Sequence, residues 1–208
     1  MDGSWEDIVL RILDARTSKG RQHFVIGVDG VDGAGKTIFS EYMPLVSIDD
    51  FHNVKEVRHS QGKDSPRGFF EDSFDYESLK ELVLNPIRNS NGDSVSIVPI
   101  SHDLNSDLLV TAEKVRLEPS SVVIVEGIFL HRDEIRDYFD FTVFLEVPIA
   151  ESVRRLSIRD GSNPDPSHPS LNRYVEGQRI YFERCSPRSR ASLVIDNSDH
   201  YLPRVARI

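Results

Sequence analysis

Gly30-Val31-Asp32-Gly33-Ala34-Gly35-Lys36-Thr37 is the stretch whose reading decides the fold. It matches G-x-x-x-x-G-K-[ST], a pattern that carries meaning only between a strand and a helix. The apolar run His23-Phe24-Val25-Ile26-Gly27-Val28 supplies the strand, and Thr37 to Met43 reads as the helix. Each residue type has its own task. Glycines let successive backbone N–H groups turn inward around phosphate oxygens, and the helix start adds partial positive charge. Lys36 is placed to neutralise the β and γ phosphates of ATP, and the Thr37 hydroxyl to ligate Mg²⁺. Gly30, Asp32, Gly33, Ala34, Gly35, Lys36 and Thr37 are therefore the expected nucleotide-binding residues.

Working outward, further strands are expected at Leu45 to Ile48, Val122 to Val125, Phe141 to Glu146 and Leu193 to Ile195. Helical patterns lie between most of them. That alternation predicts an α/β, three-layer P-loop NTPase fold: a five-stranded parallel core sheet with helices on both faces. Ser4 to Thr17 carries apolar residues at helical spacing and reads as a packing helix. Ser94 to Ile100 and Lys114 to Leu117 are expected to pair as a small antiparallel hairpin. At 208 residues the chain is read as a single domain, with the hairpin excursion at about 94–117 and a lid at about 151–172. Only Thr37 to Met43 is left for the crossover helix, less than a parallel crossover usually needs. The sequence therefore predicts a break in the printed chain between about Met43 and Pro44.

Charge and composition exclude several function classes. A formal net charge of −9 argues against a nucleic-acid track, which needs a basic surface. No apolar run approaches membrane-spanning length, and the acidic start Met1-Asp2-Gly3-Ser4-Trp5-Glu6-Asp7 is unlike a secretory signal, so a cytoplasmic protein is expected. The single cysteine, Cys185, cannot form an internal disulfide and reads as structural. The sequence is compatible with a homo-oligomer.

Phosphoryl transfer to a hydroxyl needs a base near the acceptor and a metal at the phosphates. Ser47-Ile48-Asp49-Asp50-Phe51-His52 places two carboxylates just past a strand end, where open parallel sheets build their sites. Val122-Val123-Ile124-Val125-Glu126-Gly127 is a buried strand that ends in a carboxylate, with a glycine to turn the chain away. Asp49 and Glu126, with Thr37, are the expected metal ligands.

These elements, in this order and spacing, resemble the uridine kinase-like family, which shares the phosphoribulokinase fold among P-loop kinases. The resemblance runs from about Phe24 to Asp199. It implies that Asp49 of Asp49-Asp50-Phe51-His52 is the catalytic base and that Glu126-Gly127 is the family's acid–glycine pair. It also makes Val153-Arg154-Arg155-Leu156-Ser157-Ile158-Arg159-Asp160 an arginine-bearing lid helix. Arg155 and Arg159, four apart and so on one helix face, would close over ATP and act with Lys36 in catalysis. Ala191-Ser192-Leu193-Val194-Ile195-Asp196-Asn197 is similar to the family's last core strand.

The resemblance places Asp50, His52, Phe69, His102 and Arg173 on the acceptor side, and Arg58 and Arg67 are candidates to receive an anionic acceptor. Gly68-Phe69-Phe70-Glu71-Asp72-Ser73-Phe74-Asp75 departs from the family: Phe69 stands where an aspartate would hold ribose hydroxyls. Near the hairpin, His102 and Asp107 fall where a tyrosine and a histidine would contact uracil. His102 itself reads as a surface histidine. The expected activity is transfer of the γ-phosphate of ATP to a hydroxyl of a small molecule. A nucleoside, a pantothenate-like or nicotinamide-riboside-like alcohol and a sugar phosphate are the candidate acceptors. A GTPase-type switch is the alternative, but Asn-Lys-x-Asp is absent, and Glu126-Gly127 replaces Asp-x-x-Gly. A protein that binds ATP without phosphorylating any acceptor is the other.

Overall fold

The computed structural model describes residues 5–19, 23–36 and 45–207. The expected helix at Thr37 to Met43, the expected break at Met43–Pro44 and the Thr37 hydroxyl all lie outside the described residues. In chain order, α1 (Trp5–Lys19) leads to β1 (Phe24–Gly30) and β2 (Leu45–Ser47). A 3₁₀ turn (Ile48–Phe51) is followed by α2 (Lys55–Arg58), α3 (Pro66–Asp72) and α4 (Tyr76–Leu79). The last of these runs through a π-helical segment (Lys80–Leu84) into α5 (Asn85–Asn89). Short strands β3 (Val95–Ile97), β4 (His102–Asp103), β5 (Leu108–Leu109) and β6 (Val115–Leu117) come next, then β7 (Val122–Gly127) and β8 (Phe141–Glu146). The chain ends with α6 (Ile149–Asp160), α7 (Asn172–Cys185), α8 (Pro187–Arg190), β9 (Leu193–Asp196) and β10 (Arg204–Arg207).

The main sheet runs β10-β9-β8-β1-β7-β2, with β2, β7, β1, β8 and β9 mutually parallel, as the sequence predicts. β1 is central and buried along its whole length. Its side chains alternate between two cores. Val25 joins Val46, Val123, Val125, Phe69 and Leu79 on one face, while Phe24, Ile26 and Val28 join Ile124, Val143 and Ile195 on the other. Two-sided burial is why these strands read as continuous apolar runs rather than alternating ones. Each buried Val, Ile or Phe contributes roughly 1.5–3 kcal/mol, so the strands hold the sheet and carry the site at their C-terminal ends.

β3 and β6 form the predicted antiparallel hairpin, and β4 with β5 makes a second small pair that the sequence reading omits. Also omitted is β10, which lies antiparallel on β9. It is short, and its Val205 only half buries against the sheet core, so its sequence carries little apolar signal. Helix α6, which carries the arginines of the expected lid, packs through a separate small cluster, in which Ile149 and Val153 meet Leu171 and Val175. Among the described residues, no helix is long and apolar enough to cross a membrane. Cys185 is buried, and burial pushes its thiol up to about 11, which suits a structural residue.

Candidate active site

β1 delivers Gly30 to the mouth of the sheet, where the loop turns with Gly33 at φ +71° and Gly35 at φ +91°. The loop's carbonyls are held by side chains, one of them its own. Lys36 Nζ donates to Gly30 O at 3.1 Å and to Val31 O at 3.0 Å. Ser152 Oγ donates to Asp32 O at 2.5 Å, Arg155 to Gly33 O at 3.3 Å, and Asn197 Nδ2 to Ala34 O at 2.7 Å. With its carbonyls occupied this way, the loop offers amides and an ammonium to a phosphate. The loop is thus tied to α6 and to the turn after β9, two elements far away in sequence.

The acids arrive from the neighbouring strands. Ser47, the last residue of β2, sits in register with Glu126 of β7 and donates its hydroxyl to Glu126 Oε1 at 2.8 Å. Ser47 Oγ also accepts from Asp49 N at 3.4 Å, capping the 3₁₀ turn that presents Asp49 to solvent. Gly127, at φ +151°, turns β7 away directly against this segment: a Cβ there would lie 2.0 Å from Ile48 Cγ2. Asp32, Gly33, Gly35, Lys36, Asp49, Glu126, Arg155, Leu156 and Arg159 enclose one cavity of about 300 Å³. Four segments that the sequence reading treats separately therefore meet in one space.

Burial raises the Asp32 carboxyl above its usual range, opposed by Lys36 and reinforced by the charge of Asp49. Glu126 is raised by burial as well, with the Ser47 hydrogen bond and Lys36 pulling the other way. Burial and the neighbouring Asp49 raise Asp50. These are acids whose negative charge lacks full compensation, the state expected where a cation belongs. Asp49 and Glu126 offer hard carboxylate oxygens beside the phosphate loop, and Mg²⁺ at nucleotide sites takes one or two carboxylates along with phosphate oxygens. The donor set fits that ion.

Arg155 is more constrained than a free lid arginine. Its guanidinium donates to Asn197 O at 2.7 Å and Ser198 O at 2.9 Å besides Gly33 O, and its Nε is held by Glu151 at 2.8 Å. Hydrogen bonds from Arg154 and Arg155 hold Glu151 down to about 2. Arg159, on the same face, reaches Asp160 at 3.2 Å and lines the cavity.

On the acceptor side, the structure corrects several expectations. His102 is 1% exposed, not a surface histidine, because the β4–β5 pair folds it inward against Asp107. Phe69 is a core residue: its ring packs edge-on to Phe129 and Tyr174, at 5.3 and 5.1 Å between centroids. Arg58 is buried and paired with Asp107 at 3.0 Å. Arg67, which the sequence would allow to meet an anion, is tied to Glu71. Asp50 holds the hairpin through its carbonyl, which accepts from Ser101 N at 3.0 Å. His52 Nδ1 lies 2.7 Å from Asp49 O, and burial lowers its pKa. Beside the smaller cavity lies one of about 530 Å³ between α6 and α7, which shares Asp32, Leu156 and Arg159 with it and adds Tyr174 and Gln178.

The sequence reading missed a buried group under the phosphate loop. Asp29, 0% exposed, accepts from Gly30 N at 2.7 Å and from His131 Nδ1 at 2.6 Å, and also from the Tyr181 hydroxyl. A carboxylate inside an otherwise apolar strand was the available signal. It ties the loop's first glycine to α7 and to the segment after β7.

No family model matches the chain. It is similar to "Uridine kinase" of Geobacillus kaustophilus, 31% identical over 199 residues, covering 84% of this chain and 90% of that protein. "Uridine kinase" of Chlamydia pneumoniae is 28% identical over 153 residues, covering 65% of this chain; the chain spans only 63% of that relative's length. Among solved structures, a putative fructose transport system kinase from Silicibacter sp. TM1040 has the same fold, with a TM-score of 0.62 at 20% identity, covering 85% of this chain and 93% of that one.

Proposed function

The chain belongs to the uridine kinase family of P-loop kinases, and from that premise we propose that it transfers the γ-phosphate of ATP to a hydroxyl of a small molecule. One observation carries this reading: the cavity of about 300 Å³ joins the phosphate loop, Asp49, Glu126 and two lid arginines. The loop amides and Lys36 bind the phosphates. Asp49, exposed at the cavity, orients the acceptor hydroxyl and takes its proton as the oxygen attacks the γ-phosphorus in line; the bond to the β–γ bridging oxygen breaks and ADP leaves. Lys36, Arg155 and Arg159 offset the charge that spreads over the transferring group. Mg²⁺, when bound by Asp49 and Glu126, with Thr37, supplies further charge neutralisation at the phosphates.

A second reading concerns the acceptor. The named relatives are uridine kinases, so a nucleoside is the first acceptor to consider. Phe69, which lies in the aromatic core at 6% exposure, offers no polar group to a ribose, and this favours another alcohol. ADP release measured across nucleosides, vitamin alcohols and sugar phosphates tests both readings. Acceptor-dependent ADP formation is the expected result. ATP bound without turnover on any acceptor would leave only a nucleotide-binding protein.

A further inference from the structure

We propose that the acceptor is an anion, a phosphate ester or a carboxylate, and that Arg173 and Arg58 bind its charged group. The proposal deepens the kinase reading and rests on it for the chemistry, though the anion site can be tested apart from turnover.

Arg173 is 9% exposed and lies in the first turn of α7, which holds no acidic residue. A cation there faces the positive end of the helix, the unfavourable end for it. Its guanidinium meets only carbonyls, Lys63 O at 2.6 Å and Arg58 O at 3.4 Å, and stands over the Phe69 ring at 5.4 Å. Among the described residues no carboxylate comes within ion-pair distance of it; Asp64 and Asp72 act on it only from further away. Burial accordingly lowers its pKa, and Arg58 lowers it further. A buried charge is costly unless paired, so this arrangement is one that an anion would complete.

Arg58 is 8% exposed, with Nε buried and without a hydrogen-bond partner. Asp107 is its ion pair, and the same carboxylate also accepts from Lys55 N at 3.1 Å and lies 3.3 Å from the His102 ring. Neither nitrogen of that ring makes a hydrogen bond. One carboxylate thus serves a buried guanidinium, a histidine and a backbone amide, and none is left for Arg173. His59 nearby has its pKa lowered by burial and then by Arg173, Arg58, Lys63 and Lys55, so these cations gather around it in a chain of net charge −9.

The position suits an acceptor. Tyr174, the neighbour of Arg173, lines the cavity of about 530 Å³ that shares Asp32 and Arg159 with the phosphate site. Arg58 and His102 both act on His52, whose ring contacts the Asp49 carbonyl. Arg173 is thus one residue from the wall of the larger cavity and Arg58 acts on the residue that contacts the proposed base; a guanidinium fork reached from there would hold phosphate or carboxylate bidentately.

The test compares acceptors that share hydroxyls and differ in charge: ribose with ribose 5-phosphate, glycerol with glycerate, and uridine as the neutral nucleoside. The anionic member should have a kcat/KM at least ~100-fold higher, and the better of the two anions tells phosphate ester from carboxylate. Arg173→Gln should raise the KM of that anion ~30-fold or more while the KM of ATP stays within about threefold, and Arg173→Lys should recover part of the loss. Neutral acceptors turned over as well as their anionic partners would overturn the proposal. So would Arg173→Gln lowering the melting temperature without moving the acceptor KM, which would make Arg173 only a brace for the α2–α3 loop. A binding arm is independent of catalysis: inorganic phosphate titrated calorimetrically into protein saturated with a non-hydrolysable ATP analogue. Saturable binding weakened at least ~10-fold by Arg173→Gln supports the anion site even if no acceptor is phosphorylated, in which case the kinase reading alone fails. No phosphate binding by the wild type sinks the anion site whatever the turnover result.

Discussion

The Ser47 hydroxyl donates to Glu126 at 2.8 Å across two strands paired in register, so a buried acid is held at the sheet mouth by one neutral hydrogen bond. Burial raises the Glu126 pKa above its value of 4.5 in the unfolded chain. A raised acid binds its proton more tightly in the folded state, so its ionisation costs stability as pH rises through 4.5 and beyond. Glu126→Gln keeps the Ser47 bond and removes the charge. It should raise the melting temperature at pH 7, with the gain vanishing below about pH 4 as both forms become neutral. Phosphoryl transfer should fall ~100-fold or more. Thermal melts from pH 4 to 8, beside ADP release, check both; a variant less stable at pH 7 would contradict the burial argument.

Gly127 should tolerate no side chain. A Cβ would meet Ile48 Cγ2 at 2.0 Å, and a φ of +151° is itself strained for alanine. Gly127→Ala should cost at least ~2 kcal/mol, about 4–8 °C in melting temperature. Because Ile48 precedes Asp49, activity should drop by more than the folded fraction does. Calorimetry with single-turnover kinetics separates the two effects.

Arg155 is a fork rather than a point charge. It bonds the carbonyls of Gly33, Asn197 and Ser198 at once, and a lysine cannot span them. Arg155→Lys should lower kcat/KM for ATP roughly 10- to 100-fold with the charge retained. Steady-state kinetics decides, and an unchanged kcat/KM would show that charge alone matters there.

Most of the donor side was legible in the sequence because its signals are local. Gly30 to Lys36 and Glu126-Gly127 each combine an apolar strand with a chemically loaded end, and parallel topology brings strand ends together. The acceptor side is assembled by contacts between distant segments, and these have no local signature. His102 reads as a surface residue until β4 and β5 pair; Arg173 reads as one helix arginine among several until α7 packs on α3. There Gly177 is the enabling residue, since a Cβ on it would lie 2.6 Å from Phe69 Cδ1. Asp29 does carry a local signal, a carboxylate in an apolar strand, but its partners His131 and Tyr181, 102 and 152 residues away, carry none.

Asp49 is proposed as the base of a phosphoryl-transfer site in which the loop amides and Lys36 hold the nucleotide's phosphates directly. Phosphoryl transfer to the best acceptor by Asp49→Asn, measured beside the affinity for ATP, tests it most directly. Transfer should fall ~10²- to 10⁴-fold, with the affinity for ATP measured without Mg²⁺, which Asp49 would help hold, within about threefold of wild type. Transfer at the wild-type rate would contradict it.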